Sequence, residues 1–379
     1  MPIVADLIDL LNEIAPPELA LPDDRNGLSA GSPRQPVKHL VLALDATAEV
    51  LNAAPAGALV ITHHPRFYQP IRNLTADNFY TPLAALALKK NLALFNAHTN
   101  LDIAPDGVND HLAEIIGLTA PQIVSVTHRC PTYKLTVFAP TAAAEKVSAA
   151  IGAAGAGQMG EYRDCCYRVA GRGQFRPSAN ANPFIGKRGE LTSVDEIRLE
   201  TVVKHFDRPR VEAALRRAHP YEEPAFDFIA LDRTENFGLG RVGTLRVETL
   251  NTPVKFSALV KHVQKTLGSV GLLFDGDADR RVATAAVWSG SGVAADALTG
   301  VDAVIAGEID YHRAEILRQK NVCLIAAGHA ASEWHILEVL RKKIAAAMPT
   351  VKITVAEMPR ELRGNIGIKN WKRRPESNW

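Results

Sequence analysis

The chain is poor in cysteine, with only Cys130, Cys165, Cys166 and Cys323 irregularly spaced along 379 residues and no CxxC pair among them. That excludes a disulfide framework and a zinc ribbon, and it fits a reducing compartment. Extended apolar segments are missing too. No stretch of about 18 residues passes without a charge or a Gly/Pro cluster, so no transmembrane helix is expected. Nor is there an excess of either charge: a net +2 is too small to favour nucleic acid or an acidic membrane surface as a partner. The N-terminus has neither the basic segment nor the uninterrupted apolar core of a signal peptide. Instead Ile3, Leu7, Leu10, Leu11 and Ile14 recur at helical spacing, broken by Asp6, Asp9 and Glu13, so Met1 to Pro17 reads as an amphipathic helix. A soluble, cytoplasmic protein is expected.

Hydrophobic residues make up 47% and charged residues 22%, which suits a globular chain with a sizeable core, and the length allows two domains or one carrying a large insertion. In the first third, apolar runs end abruptly in polar residues: His39 to Asp45, Ala58 to His64 and Leu92 to His98, with a helical stretch from Thr81 to Asn91. Such runs suit buried parallel strands joined by crossover helices. The same grammar returns late in the chain, in Val282 to Trp288, Val301 to Ala306 and Val322 to Ala326, before a long helix over Ala331 to Met348.

The middle differs. Strand patterns at Tyr133–Ala139, Asp164–Phe175, Glu196–Lys204 and Ala225–Leu231 alternate with helical ones at Thr141–Ala153 and Arg208–Ala218. That β-α-β-β-α-β order is the ferredoxin-like arrangement. The segment Arg176 to Gly189, rich in Pro, Gly, Asn and Ser, reads as a loop between its halves. The expected fold is therefore a split α/β domain, residues 1–125 and 236–358, carrying an inserted α+β domain at 126–235. A basic tail without periodicity occupies 359–379.

In open α/β sheets ligands bind beyond the carboxyl ends of the strands. Three candidate strands deliver His63 and His64, His98, and His329 to that edge. Asp102 follows four residues after His98 and Glu333 four after His329. On a helix, the latter spacing lets both side chains meet one ion. Imidazole with carboxylate is the usual donor set of zinc, manganese and iron(II). Each element alone has a plainer reading, as a turn, an intrahelical contact or a cap; their convergence on one edge favours a metal site.

The segments Ile61-Thr-His-His-Pro65, Ala97-His-Thr-Asn-Leu-Asp102 with Asp106-Gly-Val-Asn-Asp110, and Ala327-Gly-His329 with Glu333 resemble the NIF-three-like family, whose members are also called GTP cyclohydrolase I type 2 homologs. Ile305 to His312 and Ser289-Gly-Ser-Gly292 are similar to further blocks of that family. The resemblance implies two divalent metal ions (zinc, iron or manganese) held by His63, His64, Asp102, His329 and Glu333, with Glu333 bridging. It also implies a toroidal homohexamer and, for the middle segment with Ala218-His-Pro-Tyr-Glu-Glu-Pro224, a PII/CutA-like insert. The block Asp23-Asp-Arg-Asn-Gly-Leu28 keeps the family's Asn26 and Gly27 but lacks its Trp, and Ala330 stands where an aromatic is common.

Two ions about 3.5–4 Å apart would activate a water for attack on a nucleotide or other phosphorylated metabolite, and the family name implies opening of the imidazole ring of GTP. His98 and His312, both near strand ends, are the candidates for proton transfer. Asp45, Glu308 and Asp310 suit supporting or capping roles, and His219 and Glu222 suit a turn in the insert. The alternative is a metal-binding scaffold or sensor without catalysis, regulated through the insert. Two decoys are set aside. Asp275-Gly-Asp-Ala-Asp279 resembles a calcium loop but continues with Arg280 where that loop has glycine, and Ser289-Gly-Ser-Gly292 lacks a phosphate-loop lysine.

Overall fold

The apolar runs of the first third form strands because each can bury both of its faces. β1 (Gly27–Ala30) and β2 (His39–Ala43) are followed by β3 (Leu59–Thr62) and β4 (Ala93–Asn96), the last two buried at every residue. β2, β3 and β4 run parallel, as strands covered on both sides do, and β1 lies antiparallel along β4. The N-terminal helix α1 (Val4–Ile14) buries Val4, Leu7 and Leu11. α2 (Ala48–Ala53) and α3 (Thr81–Lys89) connect the strands, and α4 (Thr99–Ile103) and α5 (Val108–Ile116) follow β4. The computed structural model describes residues 1–67, 70–75, 77–250, 252–269 and 271–358; the basic tail read from the sequence at 359–379 lies outside the described residues.

Two strands are far longer than their apolar patterns suggest. β5 (Leu118–Pro140) runs for 23 residues. After α6 (Ala144–Ala153), β6 (Cys166–Phe175), β7 (Thr192–Val203) and α7 (Arg208–Ala218), β8 (Ala225–Leu245) runs for 21. The chain divides into two compact units, Met1–His128 with the chain from Phe237 onward, and Arg129–Asn236. Both divisions fall inside the long strands, which is why no Pro/Gly-rich linker marks them. In the smaller unit the strands lie in the order β8-β5-β7-β6. One sheet face is covered: Leu135, Val137 and Leu199 meet Val147 and Ile151 of α6 and Val211 and Leu215 of α7.

The larger unit resumes with β9 (Val254–Lys255), α8 (Phe256–Leu267), β10 (Leu273–Asp275), β11 (Arg281–Val282) and β12 (Thr284–Trp288). β13 (Ala303–Ala306), α9 (Tyr311–Gln319), β14 (Cys323–Ala326), α10 (His329–Glu333), α11 (Ile336–Ala347) and β15 (Lys352–Val355) complete it. β12, β13 and β14 are parallel. Their side chains alternate between two cores, Ala285, Val287, Ala303 and Ile305 on one face and Ala286, Trp288, Val304 and Ala306 on the other. β15 returns to pair with β2, giving the first sheet the order β1-β4-β3-β2-β15.

Two expectations need correction. The strand pattern Val282–Trp288 is broken at Ala283, because the Asp302 carboxylate accepts the backbone N–H groups of Ala283 and Thr284 at 2.9 and 3.0 Å and takes them from the ladder. The helical pattern Ala331–Met348 is two helices. The turn tightens at Trp334 and His335, where Leu337 N bonds Trp334 O at 3.1 Å, while the Trp334 indole N–H donates to Ala356 O at 3.0 Å.

Thr127 Oγ1 donates to Phe237 O at 3.3 Å, so the chain leaves and re-enters the larger unit at adjacent points. Replacing residues 128–236 by a short turn is expected to give a soluble protein that unfolds in one transition by circular dichroism. Insoluble product from every linker length tried would mean that the larger unit needs the smaller one to fold.

Candidate metal centre

Strand ends deliver the candidate side chains. β3 stops at Thr62, whose hydroxyl donates to His64 O at 2.8 Å and fixes the turn that presents His63 and His64. β4 passes through Ala97 and His98 into α4, which carries Asp102. β14 passes through Gly328, at φ 103, into α10, which opens with His329 and closes with Glu333. Five of the predicted residues thereby meet in the larger unit. His64, His329 and Glu333 bring their donor atoms within 4.8 Å of one another, and so do His63, Asp102 and Glu333. Glu333 belongs to both groups.

Hydrogen-bond partners fix what each donor atom offers. His63 Nδ1 meets Ala97 O at 3.0 Å. A carbonyl only accepts, so the proton sits on Nδ1 and Nε2 carries a lone pair. That Nε2 is buried without a hydrogen-bond partner. It lies 3.7 Å from Asp102 Oδ1 and 3.8 Å from Glu333 Oε1. His64 Nδ1 meets Asp45 Oδ1 at 3.1 Å, leaving its Nε2 3.1 Å from Glu333 Oε2. His329 Nε2 stands 3.2 Å from Glu333 Oε1, with its Nδ1 3.5 Å from Glu308. Donors about 2.0–2.2 Å from a shared ion sit roughly 3–3.6 Å from each other, so these separations suit ligands of a common cation.

The charges tell the same story. Burial pushes the His63 imidazole down despite Asp102 and Glu333, so it is neutral. Burial pushes Asp102 up, opposed by His63. Burial works against an ionised Glu333, yet hydrogen bonds from His329 and His64 hold its carboxyl far below the usual carboxylate range. The His329 imidazole is carried up to about 9, first by its bond to Glu333. Burial opposes the charged form of His64, but Asp45 and Glu333 carry it up to about 10. Protons on two histidines thus do what a cation can do: neutralise a carboxylate that is 3% exposed.

The two proton-transfer candidates part company. His98 adjoins the centre, its ring 5.2 Å from that of His63 and 5.6 Å from that of His64. His312 is exposed on the first turn of α9, its ring against Tyr311, and belongs to none of the donor groups. Asp310 caps α9 by accepting Arg313 N at 2.9 Å, and this cap sets the direction in which the helix carries His312.

Other functional residues escaped the sequence reading. Asp24 accepts from His98 Nδ1 at 2.8 Å and from Thr99 N at 3.0 Å. Burial would raise it, but His98 and Thr99 hold it well below the usual carboxylate range. Asn26 Oδ1 accepts His98 N at 2.7 Å. Ser289 Oγ donates to Asp102 Oδ1 at 2.9 Å, and Asn109 accepts Ser289 N at 3.1 Å. The signals were present in Asp23–Leu28 and Ser289–Gly292, but nothing local to either segment says which histidine or carboxylate it supports.

Comparison with known proteins shows the family of the chain. The Duf34/NIF3 (NGG1p interacting factor 3) family matches residues 2–361. A protein of Mycobacterium bovis named GTP cyclohydrolase 1 type 2 homolog is 36% identical over 375 residues, covering 96% of this chain and 98% of its own. One of the same name from Halalkalibacterium halodurans is 34% identical over 329 residues, covering 85% and 87%. The crystal structure of a Bacillus cereus protein related to NIF3 superposes with a TM-score of 0.82 at 32% identity, over 94% of this chain and 97% of that one. A Staphylococcus aureus protein, SA1388, shares the fold at a TM-score of 0.65 and 23% identity, over 98% of each chain. The chain belongs to the Duf34/NIF3 family.

Proposed function

We propose that the protein is a metal-dependent hydrolase whose centre holds two divalent ions (zinc, iron or manganese), one by His64, His329 and Glu333 and the other by His63, Asp102 and Glu333. The observation that carries this reading is the buried lone pair of His63 Nε2 facing two carboxylate oxygens, 3.7 and 3.8 Å away. His63 Nε2 receives no hydrogen bond from either carboxylate or from any other group, so the three electron pairs face one another in a dry site, and a cation removes the conflict. Gly290 supports the fit. At φ 57 it lies against the donors, where an added Cβ would overlap Glu333 Oε1 and come 3.1 Å from His329 Nε2.

Bound there, the ions would supply Lewis-acid activation of water and of a substrate oxygen. The chain's own residues do the rest. Asp102 and Glu333 are buried while His64, His98 and His329 keep part of their surface, so the centre is closed behind and open in front, as catalytic sites are and structural ones are not. Asp24, acceptor-only, accepts a hydrogen bond from His98 Nδ1–H and aims its ring, so Nε2 is the atom that would exchange a proton with substrate. Asp45 and Ala97 hold His64 and His63 in the same way. The substrate class we infer is a nucleotide or other phosphorylated metabolite, GTP first among them on the name of the relatives. A cytoplasmic homohexamer is the assembly the family resemblance suggests.

Three outcomes test the reading. Glu333→Gln keeps shape but replaces a shared anion by an amide whose nitrogen repels a cation. It is expected to lose at least one metal per subunit by elemental analysis, and hydrolysis with it. Glu338→Gln, on α11 and paired with Arg341, is expected to keep both; equal metal content in the two variants would overturn the bridging role.

Gly290→Ala costs about 1–2 kcal/mol in backbone strain and pushes the Glu333 carboxylate aside, so the protein should remain folded, yet its metal content should fall. A fully loaded Gly290→Ala protein would mean that the donors do not close on an ion beside residue 290.

The third outcome concerns pH. Both His64 and His329 are raised above the ordinary 6.5, to about 10 and about 9. Their protons stabilise the metal-free protein fully below pH 6.5, and that stabilisation is lost as pH rises through 9 and 10. The melting temperature of chelator-treated protein should therefore drop across that window. Zinc-loaded protein, its histidines already deprotonated, should hold. Parallel curves would show that metal and protons do not compete for these side chains.

A further inference from the structure

A second concavity lies wholly within the unit Arg129–Asn236 and uses no residue of the metal centre. Its volume is about 540 Å³, the size of a small-molecule pocket. The loop after β6 walls it on one side and the turn after α7 on the other. That loop is tied down: Gly189 N donates to Pro177 O at 2.8 Å, and Asn182 N donates to Glu222 at 2.8 Å.

Glu196, on β7, is 8% exposed and lines this cavity. A carboxylate has room for about four hydrogen bonds. Among the described residues one side-chain donor reaches it, the Tyr221 hydroxyl at 3.1 Å to Oε1. Gly173 lies against this carboxylate, where any Cβ would overlap Oε2, so the glycine makes room for Glu196 to lie over the sheet. Arg176 is the cation of the described lining, and it donates to Gly189 O at 2.6 Å. The other charged lining residues, Glu222 and Glu223, add negative charge. Aromatic rings form part of the remaining wall: Phe175 and Phe184 lie with ring centroids 5.8 and 6.5 Å from Tyr221. Phe184 leaves 64% of its surface in solvent, a position with no benefit to folding.

A buried carboxylate with a single donor is costly, and aromatic faces attract cations. A metal ion does not suit the site, since Glu196, Glu222 and Glu223 belong to none of the groups of converging donor atoms among the described residues, and the apolar rings add no donor. We propose that this cavity binds a small organic ammonium ion, its charge against Glu196 and its apolar body against Phe175, Phe184 and Tyr221. The Tyr221 hydroxyl would then hold Glu196 in place rather than satisfy it. The site is independent of the metal centre and of the hydrolase reading.

The test is calorimetric titration of the full-length protein with benzylammonium, benzyl alcohol and benzoate. Benzylammonium is expected to bind saturably and at least about tenfold more tightly than the neutral or anionic compound, the worth of one charge-assisted contact. Glu196→Gln, which can still accept from Tyr221, should abolish that preference. Phe184→Ala, which removes an exposed ring without touching the core, should weaken benzylammonium several-fold. The protein's zinc content should be the same in all three forms. Equal binding of benzyl alcohol or benzoate, unchanged affinity in Glu196→Gln, or no saturable binding of benzylammonium would each overturn the proposal.

Discussion

The electrostatic demand of Glu333 organises the larger unit. A carboxylate buried at the end of a five-residue helix is expensive unless positive charge surrounds it, and three histidines from two strand ends are placed to provide or recruit that charge. Everything nearby serves their orientation. Ala97 O sets the tautomer of His63, Asp45 holds His64, Ser332 Oγ accepts Gly290 N while donating to His329 O, and Ser289 holds Asp102. None of these supports contributes much to stability alone. Together they convert a cluster of lone pairs into a fixed receptor that could hold cations.

The fold explains why such a receptor can be assembled at all. Parallel strands place all their carboxyl ends on one edge, and the turns leaving that edge are where side chains escape the apolar layers. Two sheets contribute such ends rather than the single edge expected from the sequence, β3 and β4 in one and β12 and β14 in the other: the His63–His64 pair, His98, the Ser289–Gly290 turn and His329. The all-apolar strands, buried on both faces, can tolerate no polar side chain until they end. The chemistry is therefore confined to the residue or two that follow.

That confinement is also why so much could be read from the sequence. An apolar run stopping at His63-His64, or at Ala97-His98, announces both a strand and a residue at its edge. The helix beginning at His329 made the spacing to Glu333 meaningful. What could not be read depends on contacts between distant segments. Asp24 lies 74 positions from His98, and Ser289 lies 187 from Asp102; each looks like an ordinary turn residue in its own neighbourhood. His312 failed for the opposite reason. Its distance from a strand end suggested the edge, but the Asp310 cap started a helix that carried it into solvent. The length of β8 was hidden because its central residues, Asp232 to Asn236, are polar and mostly exposed, and that of β5 because Thr127, His128 and Arg129 interrupt its apolar pattern.

The donors span the chain from His63 to Glu333, with the whole of Arg129–Asn236 between them. Closing so long a loop is entropically only slightly harder than closing a short one, but it orders events in time. During synthesis the three early donors emerge long before their partners, when β15 has not yet completed the first sheet and His63 and Asp102 have no Glu333 to meet. A cation caught then would be held by half a polyhedron and readily lost. On the proposed reading, uptake is thus a late event, after the last strands have docked, and a cation held at the centre would mark a chain whose two distant ends have already found each other.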